Sequence, residues 1–159
     1  MRSAKHKTGW CSVLIFLQLL LGVGAIFGGG ALILSPDGTL LRIPIELLRY
    51  SPFHTFLIPG LILFSVLGVL PLIAAFFLIT EKRPRFGRGF SLYKDIHWAW
   101  NVSLYIGFIL IGWIMIEVYI FQAIAFIHVF YLFLGMAIQA VTLLPSVKDH
   151  YLISDSDIS

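Results

Sequence analysis

Between Trp98 and Leu144 the chain carries a single charged residue, Glu117. A hydrocarbon core of about 30 Å takes about 20 residues of helix, so this stretch is too long for one membrane crossing and sufficient for two. It reads as a transmembrane hairpin with its turn near Glu117 to Gln122. Two further apolar blocks precede it, which places four spans at about residues 10–34, 59–80, 98–117 and 122–144. Open sheets are excluded in lipid because their edge amides and carbonyls would go unpaired. The blocks also lack the strict alternation of a barrel strand. The expectation is an all-α, single-domain integral membrane four-helix bundle with little chain left for anything but connectors.

The composition agrees: 59% of residues are hydrophobic and 12% charged, against about 25% charged in soluble domains. The charges sit in the connectors and at the two ends. Arg2, Lys5 and Lys7 precede the first span, and Lys82, Arg83, Arg85, Arg88 and Lys94 outnumber Glu81 and Asp95 in the second connector. The opposite side has only two basic residues, Arg42 and Arg49. This bias predicts cytoplasmic termini and a cytoplasmic second connector. The acidic tail (Asp149, Asp155, Asp157) weighs little in that rule, and Ser154 to Ser159 reads as a frayed end. The first apolar run, about 25 residues, exceeds the usual signal-peptide core and reads as a retained helix. The net charge of +3 reflects topology, and nucleic-acid binding is not expected. The single cysteine, Cys11, rules out an internal disulfide. It reads as a small apolar filler near the membrane edge, with palmitoylation the alternative.

The first connector has its own pattern. Ser35-Pro36-Asp37-Gly38 is a turn signal, with Pro presetting φ and Gly taking a positive φ. In the segment Thr39 to Tyr50, a helix puts Arg42, Glu46 and Arg49 on one face and Leu41, Ile45 and Leu48 on another. That predicts a short amphipathic helix on the outer surface, with Pro44 in its first turn. Ser51-Pro52 ends it and Phe53 to Ile58 re-enters the membrane. Pro59 suits the first turn of the second span, and Pro71 should kink it. Trp10, Tyr50, Tyr93, Trp98, Trp100 and Tyr119 fall at span ends and read as interfacial belts.

Few residues carry chemistry. The spans hold no mid-membrane Asp, Glu, Lys or Arg, the groups that ion-coupled transporters keep there, and no catalytic motif is present. One polar set gathers toward the outer leaflet. Glu117 closes the third span, Gln122 opens the fourth, and His128 lies about 9 Å deeper by helical rise. Glu46 and His54 come from the first connector. Two His and two carboxylates suit a transition metal, but the spacing matches no ligand pattern. The alternative is solvated turn residues with His128 as interhelical glue. Gln18 and Gln139 lie at similar depths from the cytoplasmic face and can pair across the first and fourth helices. Gly24 and Gly28 form a GxxxG that favours close helix packing.

Gly28-Gly29-Gly30-Ala31-Leu32, Ser35-Pro36-Asp37-Gly38, Ser51-Pro52-Phe53 and Pro59-Gly60-Leu61 resemble a family of uncharacterised small bacterial four-helix membrane proteins, with a layout similar to that of DoxX-like proteins. The resemblance covers the first half of the chain. It implies a four-helix bundle with both ends inside and supplies no catalytic residue.

The function these observations favour is non-enzymatic: a membrane accessory or scaffold protein that binds lipid or a partner membrane protein. One alternative is a small-ligand or metal-binding protein, with enzymatic activity left open, whose outer-leaflet pocket surrounds His128. The other is a minimal transporter. Cofactor and oligomeric state are not specified. The topology is testable: a cysteine at Gly38 should react with an external impermeant reagent and one at Gly87 should not. The reverse pattern overturns the orientation.

Overall fold

The computed structural model describes residues 9–82 and 96–152. Four helices are long and apolar enough to cross a membrane: α1 (Gly9–Leu34), α2 (Leu57–Thr80), α3 (Trp98–Phe121) and α4 (Phe126–Leu143). A short helix, α5 (Pro145–His150), follows. Among the described residues the only β pairing is an isolated bridge between Ile96 and Leu152. This is the all-α bundle of a multi-pass membrane protein. Arg2, Lys5, Lys7, Arg83, Arg85, Arg88, Tyr93, Lys94, Asp95 and the tail Ser154 to Ser159 lie outside the described residues.

The helices form a ring in which α1 packs on α2 and α4, and α3 packs on α4 and on the second half of α2. The first connector and the α3–α4 turn share one end, the loop end. The start of α1, the end of α2, the start of α3 and the end of α4 with α5 share the other, the terminal end. Leu14, Leu21, Leu67, Leu78, Ile106, Leu110 and Ile138 fill the centre, while Phe16, Phe27, Phe76, Phe108 and Phe133 face outward. An apolar exterior suits lipid, where burial of apolar groups does not drive association and close packing must do so.

Glycines supply that close packing, though at positions other than the Gly24–Gly28 pair. A Cβ on Gly29 would lie 2.6 Å from the Phe64 amide N and 2.8 Å from the Gly60 carbonyl O. On α2, a Cβ on Gly60 would come within 2.8 Å of Leu32 Cβ, and one on Gly68 within 3.0 Å of Ile26 Cγ1. Gly22 faces Leu72 at 2.7 Å in the same way. Gly22 and Gly29 are seven apart, so they share the α2-facing stripe. Gly24 turns instead toward Tyr131 of α4, and Gly28 has no close neighbour but Leu63, at 3.5 Å.

The irregularity imposed by Pro71 takes a defined form. Leu63–Val69 is a π-helical stretch, and the Leu70 N–H bonds back to the Ser65 carbonyl five residues earlier. Pro71 lacks an N–H and its ring would strike the preceding turn of a regular helix; the wider turn makes room for it.

The surface segment of the first connector is helical in two short 3₁₀ pieces, Thr39–Leu41 and Ile45–Tyr50, in place of one continuous helix. Pro44 explains the break. It holds Ile43 out of the helical region, and Pro44 itself is the extended N-cap of the second piece. Arg42 takes a left-handed φ of 55°, and the Ile43 N–H returns to the Gly38 carbonyl at 3.0 Å. Asp37 Oδ1 accepts bonds from the Ser35 hydroxyl and from the Thr39 amide and hydroxyl. These bonds hold the Asp37 carboxyl below its usual range, the Ser35 bond contributing most. The Phe56 N–H bonds to the Pro36 carbonyl at 2.8 Å, so the connector closes on itself. Leu48 and Phe56 are buried against Leu32. Gly38 has φ 81°, and a Cβ there would meet the Ile43 carbonyl at 2.3 Å, so exposed Glu46 is the better position for an external cysteine.

The terminal end is closed by a segment the sequence pattern did not reveal. Tyr151 donates its hydroxyl to the Leu78 carbonyl at 3.2 Å, and the His97 N–H donates to the Tyr151 carbonyl at 2.9 Å. Burial raises the Tyr151 pKa, so the phenol stays a donor. His97 caps α3: its Nδ1 accepts from Ala99 N–H at 3.2 Å, and Nε2 donates to the Lys82 carbonyl at 3.0 Å. Cys11 is fully buried here, consistent with a filler role and not with lipidation. Trp100 is also buried, its indole N–H donating to the Thr142 carbonyl at 2.7 Å. It is a core residue and not part of an interfacial belt. Trp10, Tyr50 and Tyr119 are exposed.

Adjacent glycines give a direct test of the α1–α2 seam. Gly29→Ala should lower stability by about 1–3 kcal/mol through overpacking against backbone. Gly28→Ala should be neutral or slightly stabilising, since Ala is the better helix former. Thermal unfolding in detergent checks this, and equal losses at the two positions would contradict the described seam.

Candidate functional site

The α3–α4 hairpin differs from the sequence expectation in a way that creates the site. Val118 to Phe121 continue α3 in helical register, so Glu117 lies one turn inside the helix and does not close it. The left-handed residue that ends α3 is Gln122, with φ 50°. Gln122 therefore caps α3 and does not open the fourth helix; its amide donates locally to the Tyr119 carbonyl. The turn residues 122–125 carry the chain to Phe126, where α4 starts. That late start puts His128 in the first turn of α4 and not a full 9 Å deeper than the turn.

His128 is buried, 7% exposed. Its Nδ1 accepts the Ala125 N–H at 2.9 Å, which satisfies one orphan amide of the helix start. A neutral imidazole accepting at Nδ1 carries its proton on Nε2. That Nε2 lies 4.0 Å from Glu117 Oε2, beyond hydrogen-bond length. The two groups face a shared space without being locked together.

That space is a cavity of about 520 Å³ at the loop end. Leu21, Gly24, Gly28 and Leu32 of α1 form one wall. Trp113, Glu117 and Phe121 of α3 form another, with His128 and Tyr131 of α4 beside them. Leu48, Phe53 and Phe56 of the first connector cover it. The lining contains no Lys or Arg. Trp113 lies four residues before Glu117, and its buried indole N–H sits near the carboxylate without closing a bond of normal geometry. The Tyr131 hydroxyl lies over Gly24, where a Cβ would come within 2.5 Å of it. The Phe121 and His128 rings meet at a tilt of 53° with their centroids 5.9 Å apart. Leu41, Ile116 and Ile127 both line the cavity and are exposed, so its rim is apolar. Leu21 of α1 and Leu110 of α3 are the lining residues of those helices nearest the terminal end.

The structure thus brings Glu117 and His128 together and leaves the other candidates outside. Glu46, His54 and Gln122 are exposed and do not line the cavity. Glu46 points outward because its 3₁₀ turn buries Leu48 instead. Among the described residues, no group of three or more His, Cys, Asp or Glu side chains could hold a metal ion. The paired amides also separate. Gln139 donates to the Leu104 carbonyl of α3 at 3.2 Å, while Gln18 is buried with neither side-chain atom hydrogen-bonded. Gln139 fits against Gly107, which gives the amide access to the α3 backbone. Sequence reading missed Trp113 and Tyr131. The signal was present: they stand at i−4 from Glu117 and i+3 from His128, the spacings that share a helix face.

The double role of His128 can be separated experimentally. His128→Ala should lower stability by about 1 kcal/mol by orphaning the Ala125 N–H. His128→Gln should restore most of it, because Gln at the third helical position also reaches back to the cap amide. Thermal unfolding in detergent checks both; an alanine variant as stable as wild type would remove the capping role.

No protein-family model matches this chain, and no curated protein or solved structure is significantly similar to it.

Proposed function

We propose that this protein binds a membrane lipid or lipid-like amphiphile within its bundle, as a non-enzymatic accessory protein of a bacterial inner membrane. The observation that carries this reading is the loop-end cavity: apolar walls and an apolar rim, with the polar groups Glu117, His128, Tyr131 and Trp113 on its α3 and α4 sides. Its volume, about 520 Å³, falls within the range of small-molecule sites. Apolar lining with a few convergent polar groups fits a ligand having a chain and a head. The Lys/Arg asymmetry supports cytoplasmic termini, which puts the cavity toward the outer leaflet.

The test uses the intact protein purified in a mild neutral detergent. Mass spectrometry of extracted lipid should find a retained species in wild type at near-stoichiometric amounts. Gly28→Leu, which projects a side chain into the cavity from a position with room for its Cβ, should lose that species while unfolding at a similar temperature. Wild type carrying no more lipid than an unrelated membrane protein prepared identically would refute the reading.

A further inference from the structure

The polar groups of the cavity are not neutral as to ligand. Glu117 is an acid four residues from the end of α3, about 6 Å inside it by helical rise. An ionised carboxylate in such surroundings is costly unless it is paired. The cavity lining offers no Lys or Arg as partner. The nearest cation candidate, His128, has Nδ1 committed to the Ala125 N–H, and Nε2 stands 4.0 Å away. A positively charged ligand group is therefore the missing complement. Rings line the same cavity: Trp113 and Phe121 from α3, Tyr131 from α4. Aromatic faces attract ammonium groups, more strongly where water is excluded. An anionic head would meet the carboxylate as a like charge, and an uncharged head would leave it without a counter-charge.

We infer that the loop-end cavity selects amphiphiles whose head is a positively charged amine, received by the Glu117 carboxylate among Trp113, Phe121 and Tyr131. The inference rests on the lipid-binding reading above and names the head-group chemistry of that same site. Two sources carry this chemistry, a membrane aminolipid and a free lipophilic amine.

The experiment titrates purified protein in a neutral maltoside detergent with dodecylamine, dodecanol and dodecanoic acid near neutral pH, read by native mass spectrometry. Dodecylamine should bind at least about tenfold more tightly than dodecanol, and dodecanoic acid more weakly than both. Glu117→Gln should bring dodecylamine down to the level of dodecanol while dodecanol binding stays, which shows that the variant is folded. In a second arm the protein is released from vesicles of equimolar phosphatidylethanolamine and phosphatidylglycerol. Retention of phosphatidylethanolamine over phosphatidylglycerol, lost in Glu117→Gln, assigns the aminolipid source. Equal retention together with tight dodecylamine binding assigns the free amine. If dodecanol binds as well as dodecylamine and Glu117→Gln changes nothing, the head-group inference is wrong and the cavity reading survives. If none of the three binds, the lipid-binding reading itself falls.

Discussion

The close approach of α1 and α2 is the contact on which the rest of the bundle depends. Gly29 leaves no room for a Cβ against the Phe64 amide and the Gly60 carbonyl, so the two backbones nearly touch at the loop end. In lipid, association rests on packing of this kind. The consequence is asymmetric. One side of the bundle is drawn tight by glycines, while the α3 and α4 side carries Trp113, Phe121 and Tyr131. Large rings opposite a tight seam leave space between them, and the first connector covers it with Leu48, Phe53 and Phe56. The seam and the cavity are two results of one distribution of side-chain size.

Polar groups inside the bundle follow a second constraint, that buried donors and acceptors need partners. Ser103 and Thr142 bond back to carbonyls one turn earlier, at 2.8 and 2.6 Å. Trp100 and Gln139 reach carbonyls on neighbouring helices. These bonds use backbone already committed to helix and so tie helices together without distorting them. Glu117 departs from the pattern, since its only ion-pair contact among the described residues is the 4.0 Å approach of His128. That departure, inside a cavity, is what supports the proposal of Glu117 as a binding group. Gln18 departs too, but it does not line the cavity.

Helix existence, number and membrane character were legible in the sequence because they depend on runs of apolar residues, and a run of about 20 has one solution in lipid. Helix ends were less legible. Glu117 looks like a helix end because it is a charge among apolar residues, yet Val118 to Phe121 continue the helix and Gln122 ends it through its backbone conformation. The same shift moves His128 into a first turn, where its ring serves as a cap. Pro145 to Leu152 lies beyond the last apolar span, and the bundle uses it to seal the terminal end through Tyr151.

What the sequence determined by itself was the class: four apolar spans, charges displaced to the connectors, and a turn at Ser35 to Gly38 that follows from Pro, Asp and Gly chemistry. Each is a local property, set by residues adjacent in the chain. Only the tertiary structure decided which glycines pack, which acids face inward and whether polar residues from different helices meet. Gly24 and Gly28 carry the sequence motif, but Gly22 and Gly29 face α2, because facing depends on how each helix is rotated about its axis. Glu46, His54, Glu117, Gln122 and His128 all lie near one end in sequence terms. Of these only Glu117 and His128 share a cavity, since sharing it requires two helix faces to be turned toward each other, and side-chain packing across the bundle sets that rotation.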